Sequence, residues 1–128
     1  MQYQYVVPLA EAQTVRRSIE ALHAGGAVPS LAVLKRFGPG NPGHLSFPAP
    51  GWTLAVDVPV TAGTAAVLRT LDELVLGACG RVYLAKDART APGALPLMYP
   101  RLDAWRAVRD RVDPDRAFTS DLARRLDL

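Results

Sequence analysis

Two helix-type stripes, each caught between strand-type segments, constrain this chain more than any other feature. Residues Met1–Val7 alternate and are rich in Tyr and Val, the pattern of a strand, and Pro8 ends it. Leu9–His23 follows with Val15, Ile19 and Leu22 at helical spacing, and Gly25-Gly26 supplies a stop. Val28–Phe37 is an apolar run of strand type, and Gly38–His44 is a loop by its Gly and Pro content. Trp52–Val60 predicts a third strand. Gly63–Cys79 predicts a second helix, with Val67, Leu71, Leu74, Val75 and Ala78 in one stripe, and Arg81–Ala85 predicts a fourth strand. The order β-α-β-β-α-β is the split βαβ pattern of ferredoxin-like folds. The expected class is therefore α+β: a four-stranded antiparallel sheet with both helices on one face. Lys86–Pro100 reads as a loop, Arg101–Val112 as a short helix and Arg116–Leu128 as a further helical tail, together a C-terminal helical extension.

The composition supplies the core this order needs. With 49% hydrophobic residues in 128, the chain suits one modest domain, and disorder is excluded. No uncharged apolar run is long enough for a transmembrane segment, and Met1–Pro8 has neither a basic leader nor a cleavage site. The lone Cys79 excludes an internal disulfide and a thiolate zinc site, which fits a reducing, cytoplasmic setting. Residues 1–80 hold five basic and five acidic side chains and 81–128 hold ten and seven, so the whole net charge of +3 lies at the C-terminal end. There Asp110-Arg111 and Asp113-Pro-Asp115-Arg116 alternate in sign, which favours internal ion pairs over a phosphate-binding stripe; nucleic acid is not an expected partner. The preference for Arg, Ala, Pro and Gly over Lys, Asn and Ile is that of a GC-rich bacterial genome.

Strand parity then sorts side chains by face. Tyr3, Tyr5 and Val7 can cover the helices, which sends Gln2 and Gln4 to the other side. Trp52, Leu54, Val56 and Val58 form the apolar set of the third strand, leaving Thr53, Ala55 and Asp57 opposite. The second strand is ambiguous, since both parities carry apolar residues. If Lys35 and Phe37 join the open face, it presents amides, an ammonium, a ring, a hydroxyl and a carboxylate, a mixture suited to a polyhydroxylated ligand. A solvated face, or one covered by a partner, is the plainer reading. His23 and His44 have no ligand-spaced partners, and Cys79 reads as a packed, inert thiol. Gly38, Gly40 and Gly43 do not sit at a strand-to-helix turn, which counts against a phosphate cradle. Tyr83-Leu-Ala-Lys86-Asp87-Ala-Arg89 places a phenol, two cations and a carboxylate just past a strand. That run is either a surface ion pair or a cation aimed at an electron-rich ligand such as a reduced flavin.

Several runs carry a family resemblance. Gln2-Tyr-Gln-Tyr-Val-Val-Pro8, Lys35-Arg-Phe-Gly-Pro39, Leu45-Ser-Phe-Pro-Ala-Pro-Gly-Trp52 and Gly80-Arg-Val-Tyr-Leu-Ala-Lys-Asp-Ala-Arg-Thr90 are among them. So are Met98-Tyr-Pro-Arg101, Val112-Asp-Pro-Asp115 and Phe118-Thr-Ser-Asp-Leu-Ala-Arg-Arg-Leu126. In this order the chain resembles the C-terminal part of FAD-linked oxidases related to decaprenylphosphoryl-β-D-ribose oxidase, a branch of the vanillyl-alcohol-oxidase type flavoproteins. The resemblance implies FAD held mainly by an N-terminal domain and a substrate domain that caps it. It implies oxidation of the 2′-hydroxyl of a lipid-linked ribose by hydride transfer to FAD. An epimerase partner then reduces the ketone, on the way to cell-wall arabinan. By the same resemblance, substrate-binding positions fall on Gln2, Gln4, Lys35, Phe37, Thr53 and Ala55, and cofactor-binding positions on Tyr83 and Lys86. Lys86 carries the catalytic role, stabilising negative charge on reduced flavin or holding a substrate oxygen. Thr53 and Ala55 stand where mycobacterial relatives have Asn and Cys, so both shrink a side chain that lines the pocket.

The division expected is residues 1–85 as a substrate-domain (cap) portion and 86–128 as an extension that packs on an FAD-binding domain or subunit outside this chain. The pyrophosphate-binding segment of such enzymes belongs upstream, so the chain is expected neither to retain FAD nor to act alone. The resemblance places the full enzyme in the cytoplasm or peripheral to the membrane and cell envelope. Two other readings stand beside it: part of an aldonolactone or alditol oxidase, and a stand-alone ferredoxin-like module that dimerises through its open sheet face.

Overall fold

A computed structural model describes all residues 1–128. Strands β1 (Gln2–Pro8), β2 (Leu31–Phe37), β3 (Gly51–Asp57) and β4 (Arg81–Val82) form one sheet in the order β2-β3-β1-β4. Every neighbouring pair is antiparallel. Helices α1 (Ala12–Ala24, entered through a 3-10 turn over Leu9–Glu11) and α2 (Thr64–Gly77) pack side by side on one face. The extension carries a helical turn, α3 (Leu95–Met98), then α4 (Leu102–Val112) and α5 (Asp121–Leu126). The α+β class and the antiparallel sheet are as the pattern of the sequence demands.

Several boundaries differ, each for a physical reason. The stripe of α1 is rotated by one residue: Thr14, Ser18 and Leu22 are buried, while Ile19 is exposed. The buried Tyr5 phenol needs a partner beneath the helix, and it donates to Ser18 Oγ at 2.9 Å; Ser18 in turn donates to the Thr14 carbonyl at 2.8 Å. Burial pushes the Tyr5 hydroxyl up to about 12. β2 begins at Leu31, not Val28, and β3 ends at Asp57, where the chain turns through Pro59. β4 stops after two residues because the extension takes over its free edge. The Val82 amide donates to Met98 Sδ (3.4 Å), and its carbonyl accepts from Tyr99 Oη (2.6 Å). An open sheet edge is thereby closed by side chains. Replacing Tyr99 with Phe strands that buried carbonyl and is expected to cost about 2 kcal/mol. The check is a lower urea midpoint with an unchanged slope.

Cys79 is exposed, not packed, and sits at φ 52°. Helix α2 ends in a Schellman arrangement in which the Gly80 amide reaches the Val75 carbonyl (2.8 Å) and the Cys79 amide reaches that of Leu76 (3.0 Å). The left-handed position would ordinarily take glycine. Here the glycine is needed one residue later, because a Cβ at position 80 would lie 2.6 Å from the Val6 carbonyl oxygen.

One apolar cluster runs from the sheet into the extension, joining Tyr3, Tyr5, Leu54 and Leu71 to Leu95, Tyr99, Leu102 and Leu126. The predicted 86–100 loop contributes α3 to it, and the predicted tail helix shortens to α5, which Ser120 caps by accepting from the Ala123 amide. The arginines of the extension are largely used inside the molecule: Arg89 with Asp72, Arg106 with Asp103, Arg116 with Asp110, and Arg125 with Asp87.

Candidate functional site

The register of the sheet sets the geometry of its far face. One cross-strand row reads Arg81–Val6–Thr53–Lys35, from β4 to β2. The next holds Gln4, Ala55 and Val33, and Tyr83 joins it by donating its amide to the Gln4 carbonyl at 2.8 Å. Gln2, Asp57 and Leu31 form a third row, and Phe37 lies opposite Gly51 at the other end. Neighbours in a row stand about 5 Å apart. Lys35 opposite Thr53 and Phe37 opposite Gly51 settle the ambiguity of β2: Gln2, Gln4, Lys35, Phe37, Thr53, Ala55 and Tyr83 share the face turned away from α1 and α2.

That face is not bare. The loop between β2 and β3, residues 38–50, folds back over it and lays Phe47 across the middle. Phe47 is 5% exposed; it stacks on Tyr83 (4.5 Å between centroids, 23° between planes) and meets Phe37 edge-on (5.7 Å, 86°). This aromatic arch spans from one edge strand to the other. Beneath it Val6, Gln4 and Thr53 are buried, and Gln4 Nε2 donates to Thr53 Oγ1 at 3.1 Å. Gln2 and Lys35 stay exposed, with Phe37, Ala55 and Tyr83 half-buried. Phe47 is the residue that sequence reasoning passed over. Its signals were an aromatic ring inside a Pro-rich stretch, where a solvated loop has no use for one, and its place in the run Leu45–Trp52 that carries the family resemblance.

Past β4, Lys86 ends a 3-10 turn, its amide held by the Tyr83 carbonyl at 3.0 Å. The neighbouring Asp87 does not pair with it. The Asp87 side chain, 2% exposed, accepts from the amides of Arg89 (3.0 Å) and Thr90 (2.9 Å), the Thr90 hydroxyl (2.9 Å) and Arg125 Nη2 (2.8 Å). Burial alone would raise its carboxyl. The donors outweigh burial and hold it below the ordinary carboxylate range. Arg89 is equally committed, to Asp72 Oδ2 (2.6 Å) and the Leu68 carbonyl (2.8 Å). Tyr3 Oη also donates to Asp72 (2.8 Å), and burial first, then the Asp72 charge, raises that phenol well above its usual range. Of the cluster Lys86-Asp87-Arg89, two members are thus structural. Lys86 is half-buried and without a carboxylate partner, and Lys35 likewise has none.

None of the five main clefts is lined by Gln4, Lys35, Ala55, Tyr83 or Lys86. The face is a shelf rather than a pocket, with the Gln2 amide and the Lys35 ammonium exposed along it and an aromatic wall across its middle. Such a surface can hold the oxygens and the apolar side of a sugar against a second wall. No cluster of three or more His, Cys, Asp or Glu capable of holding a metal occurs.

Comparison with known proteins bears on what that second wall is. The D-arabinono-1,4-lactone oxidase family matches residues 55–126. Over all 128 residues the chain is 46% identical to decaprenylphosphoryl-beta-D-ribose oxidase of Mycolicibacterium smegmatis, spanning 28% of that protein. It is 50% identical over 115 residues (89% of this chain, 31% of the relative) to an uncharacterised protein of Streptomyces coelicolor. It is 38% identical over 58 residues (45% of this chain, 14% of the relative) to L-gulono-1,4-lactone dehydrogenase of Mycobacterium tuberculosis. The chain thus spans less than a third of each of these relatives. With more than half its length matched by the family and its whole length matched at 46% identity by a relative, this chain belongs to the D-arabinono-1,4-lactone oxidase family of oxidoreductases.

Proposed function

We propose that this chain is the substrate-side wall of an FAD-dependent oxidoreductase that oxidises a sugar hydroxyl, completed by an FAD-binding domain or subunit outside these 128 residues. The observation that carries this reading is the two-row array of Gln4, Ala55, Thr53, Lys35 and Tyr83, followed three residues past Tyr83 by Lys86, which has no carboxylate partner. Bound FAD would supply the hydride acceptor. The residues present suit one edge of it: a half-buried lysine with no competing carboxylate, close in the chain to a phenol ring already fixed by stacking on Phe47. Lys86 stabilises negative charge there, and Tyr83 packs beside it. Gln2 and Lys35 orient substrate oxygens, Phe37 covers the sugar's apolar side, and Gln4, Thr53 and Ala55 form the floor. Gln4 and Thr53 are buried beneath Phe47 and bonded to each other, so they act by fixing that floor.

Within this reading, residues 1–85 form the substrate-domain portion and 86–128 face the FAD-binding domain. Leu97, Val112 and Phe118, between 70% and 84% exposed, all lie on that extension and favour such a contact. A lipid-linked sugar suits an enzyme working peripheral to a membrane from the cytoplasmic or envelope side. No helix here is long and apolar enough to cross one. The ketone formed would be consumed by an epimerase or reductase partner.

The reading is tested by combining this chain with the FAD-binding portion of a matching oxidase and adding a polyprenylphosphoryl ribose or an aldonolactone anaerobically. Loss of the flavin's visible absorbance with either substrate supports a sugar oxidase. Bleaching by the lipid-linked ribose alone selects the ribose reading, and bleaching by the lactone alone selects the lactone oxidase. A complex that forms but is bleached by neither overturns the proposal.

A further inference from the structure

We propose that the β2–β3 loop, clamped by two arginines from distant parts of the chain, forms a phosphate-binding site at the β4 end of the sheet face, beyond the array of Gln4, Thr53 and Lys35. A cavity of about 250 Å³ lies between this loop and the start of the extension. Its lining includes Asn41, His44, Ser46, Arg81 and Arg101, and no carboxylate. Each guanidinium spends one nitrogen on the loop backbone: Arg81 Nη1 donates to the Ser46 carbonyl (3.0 Å) and Arg101 Nη1 to the Pro42 carbonyl (2.7 Å). Neither makes another hydrogen bond nor an ion pair with protein, so Nε and Nη2 of both remain to be used. Most arginines of the extension have an aspartate; Arg81 on β4 and Arg101, which border one cavity, have none.

The loop's own polar groups are also incompletely satisfied. Asn41 Oδ1 accepts from the Gly43 amide (2.9 Å), which leaves its amide nitrogen free. Ser46 Oγ and His44 Nδ1 are enclosed without a partner. Two forked cations, an amide and a hydroxyl around a polar void match a tetrahedral oxyanion, which guanidinium groups hold through paired N–H bonds. The glycines make no backbone cradle. Gly40 is required for the loop to close on itself, since a Cβ there would lie 2.5 Å from the Pro48 carbonyl oxygen. The donors are side chains from the loop, β4 and the entry to α4. The ligand is a phosphoryl group, either free phosphate or a phospholipid headgroup, and the site holds whether or not the oxidase reading does.

The test is a titration of the intact chain with inorganic phosphate at constant ionic strength, followed by amide and arginine side-chain NMR. Saturable shifts are expected at Gly40–Ser46 and at the side chains of Arg81 and Arg101. Arg101→Gln, an exposed change, should weaken binding at least fivefold, and Arg81→Gln should do the same if it folds. Arg111→Gln, exposed and unpaired elsewhere on α4, should leave binding unchanged. Shifts that do not saturate, that chloride reproduces, or that Arg111→Gln weakens equally would overturn the proposal. Co-sedimentation with phosphatidylcholine vesicles containing phosphatidic acid then separates the sources. Arg101-dependent pelleting supports a headgroup, and phosphate shifts without pelleting support the free ion.

Discussion

Replacing Lys86 with Met is expected to slow sugar-dependent flavin reduction about a hundredfold in the completed enzyme, while leaving the fold intact. In the proposed oxidase the size follows from removing one preorganised charge next to a centre where negative charge develops. A hundredfold corresponds to roughly 2.7 kcal/mol of transition-state stabilisation. The stability half follows from this chain alone. The Lys86 ammonium has no ion-pair partner, and the residue is tied to its surroundings by the amide bond to the Tyr83 carbonyl, which Met keeps. Lys86→Arg should restore part of the rate, because it returns the charge with a different reach. The measurement is the single-turnover bleaching rate, with the melting temperature recorded in parallel. An unchanged rate would remove Lys86 from the chemistry. A lower melting temperature with a proportionate loss of rate would make it a structural residue.

How much of this was legible in the sequence depended on how local each determinant is. The faces of β1 and β3 could be read because Tyr3, Tyr5 and Val7 alternate with Gln2 and Gln4, and Leu54 and Val56 with Thr53 and Ala55. β2 could not, because it is an edge strand: Leu34 points to the helix side yet is 54% exposed, so burial does not police either parity. The resemblance to a flavoprotein family put Lys35 and Phe37 on the same face as Gln4, and the register does so too. The rotated stripe of α1 was hidden because a buried Tyr hydroxyl, not apolar area, chose Ser18 as the facing residue. The arch of Phe47 was hidden for a longer-range reason. A loop rich in Gly and Pro has no preferred direction of its own; Arg81 and Arg101, far along the chain, hold it over the sheet. Nor could the pairing of Lys86 with Asp87 be judged locally, since the true partner of Asp87 is Arg125, 38 residues on.

That last contact carries the largest stability effect expected of a single side chain here. Asp87→Ala removes the acceptor of four hydrogen bonds and leaves Arg125 with only the Thr90 carbonyl at the clasp between the start of the extension and α5. Breaking a buried pair from one side costs about 3–5 kcal/mol; Arg125 keeps 28% of its side chain in solvent, so the lower end, about 3 kcal/mol, applies. In a chain of this size that is roughly a 10 °C fall in melting temperature. Asp87→Asn should lose less, because an amide oxygen can still accept from the Arg89 and Thr90 amides. The pH dependence has a definite sign. The folded carboxyl lies below its unfolded value, so its contribution is complete above the ordinary carboxylate pKa of about 3.9 and fades as pH falls through the lower folded value. Wild type and Asp87→Ala should therefore differ most near neutrality and converge in acid below about pH 4. Thermal melts of both proteins across that range provide the check. Curves that stay parallel down to the acid limit would mean that the charge of Asp87 contributes nothing and that its hydrogen-bonded shape alone holds α5 against the sheet domain.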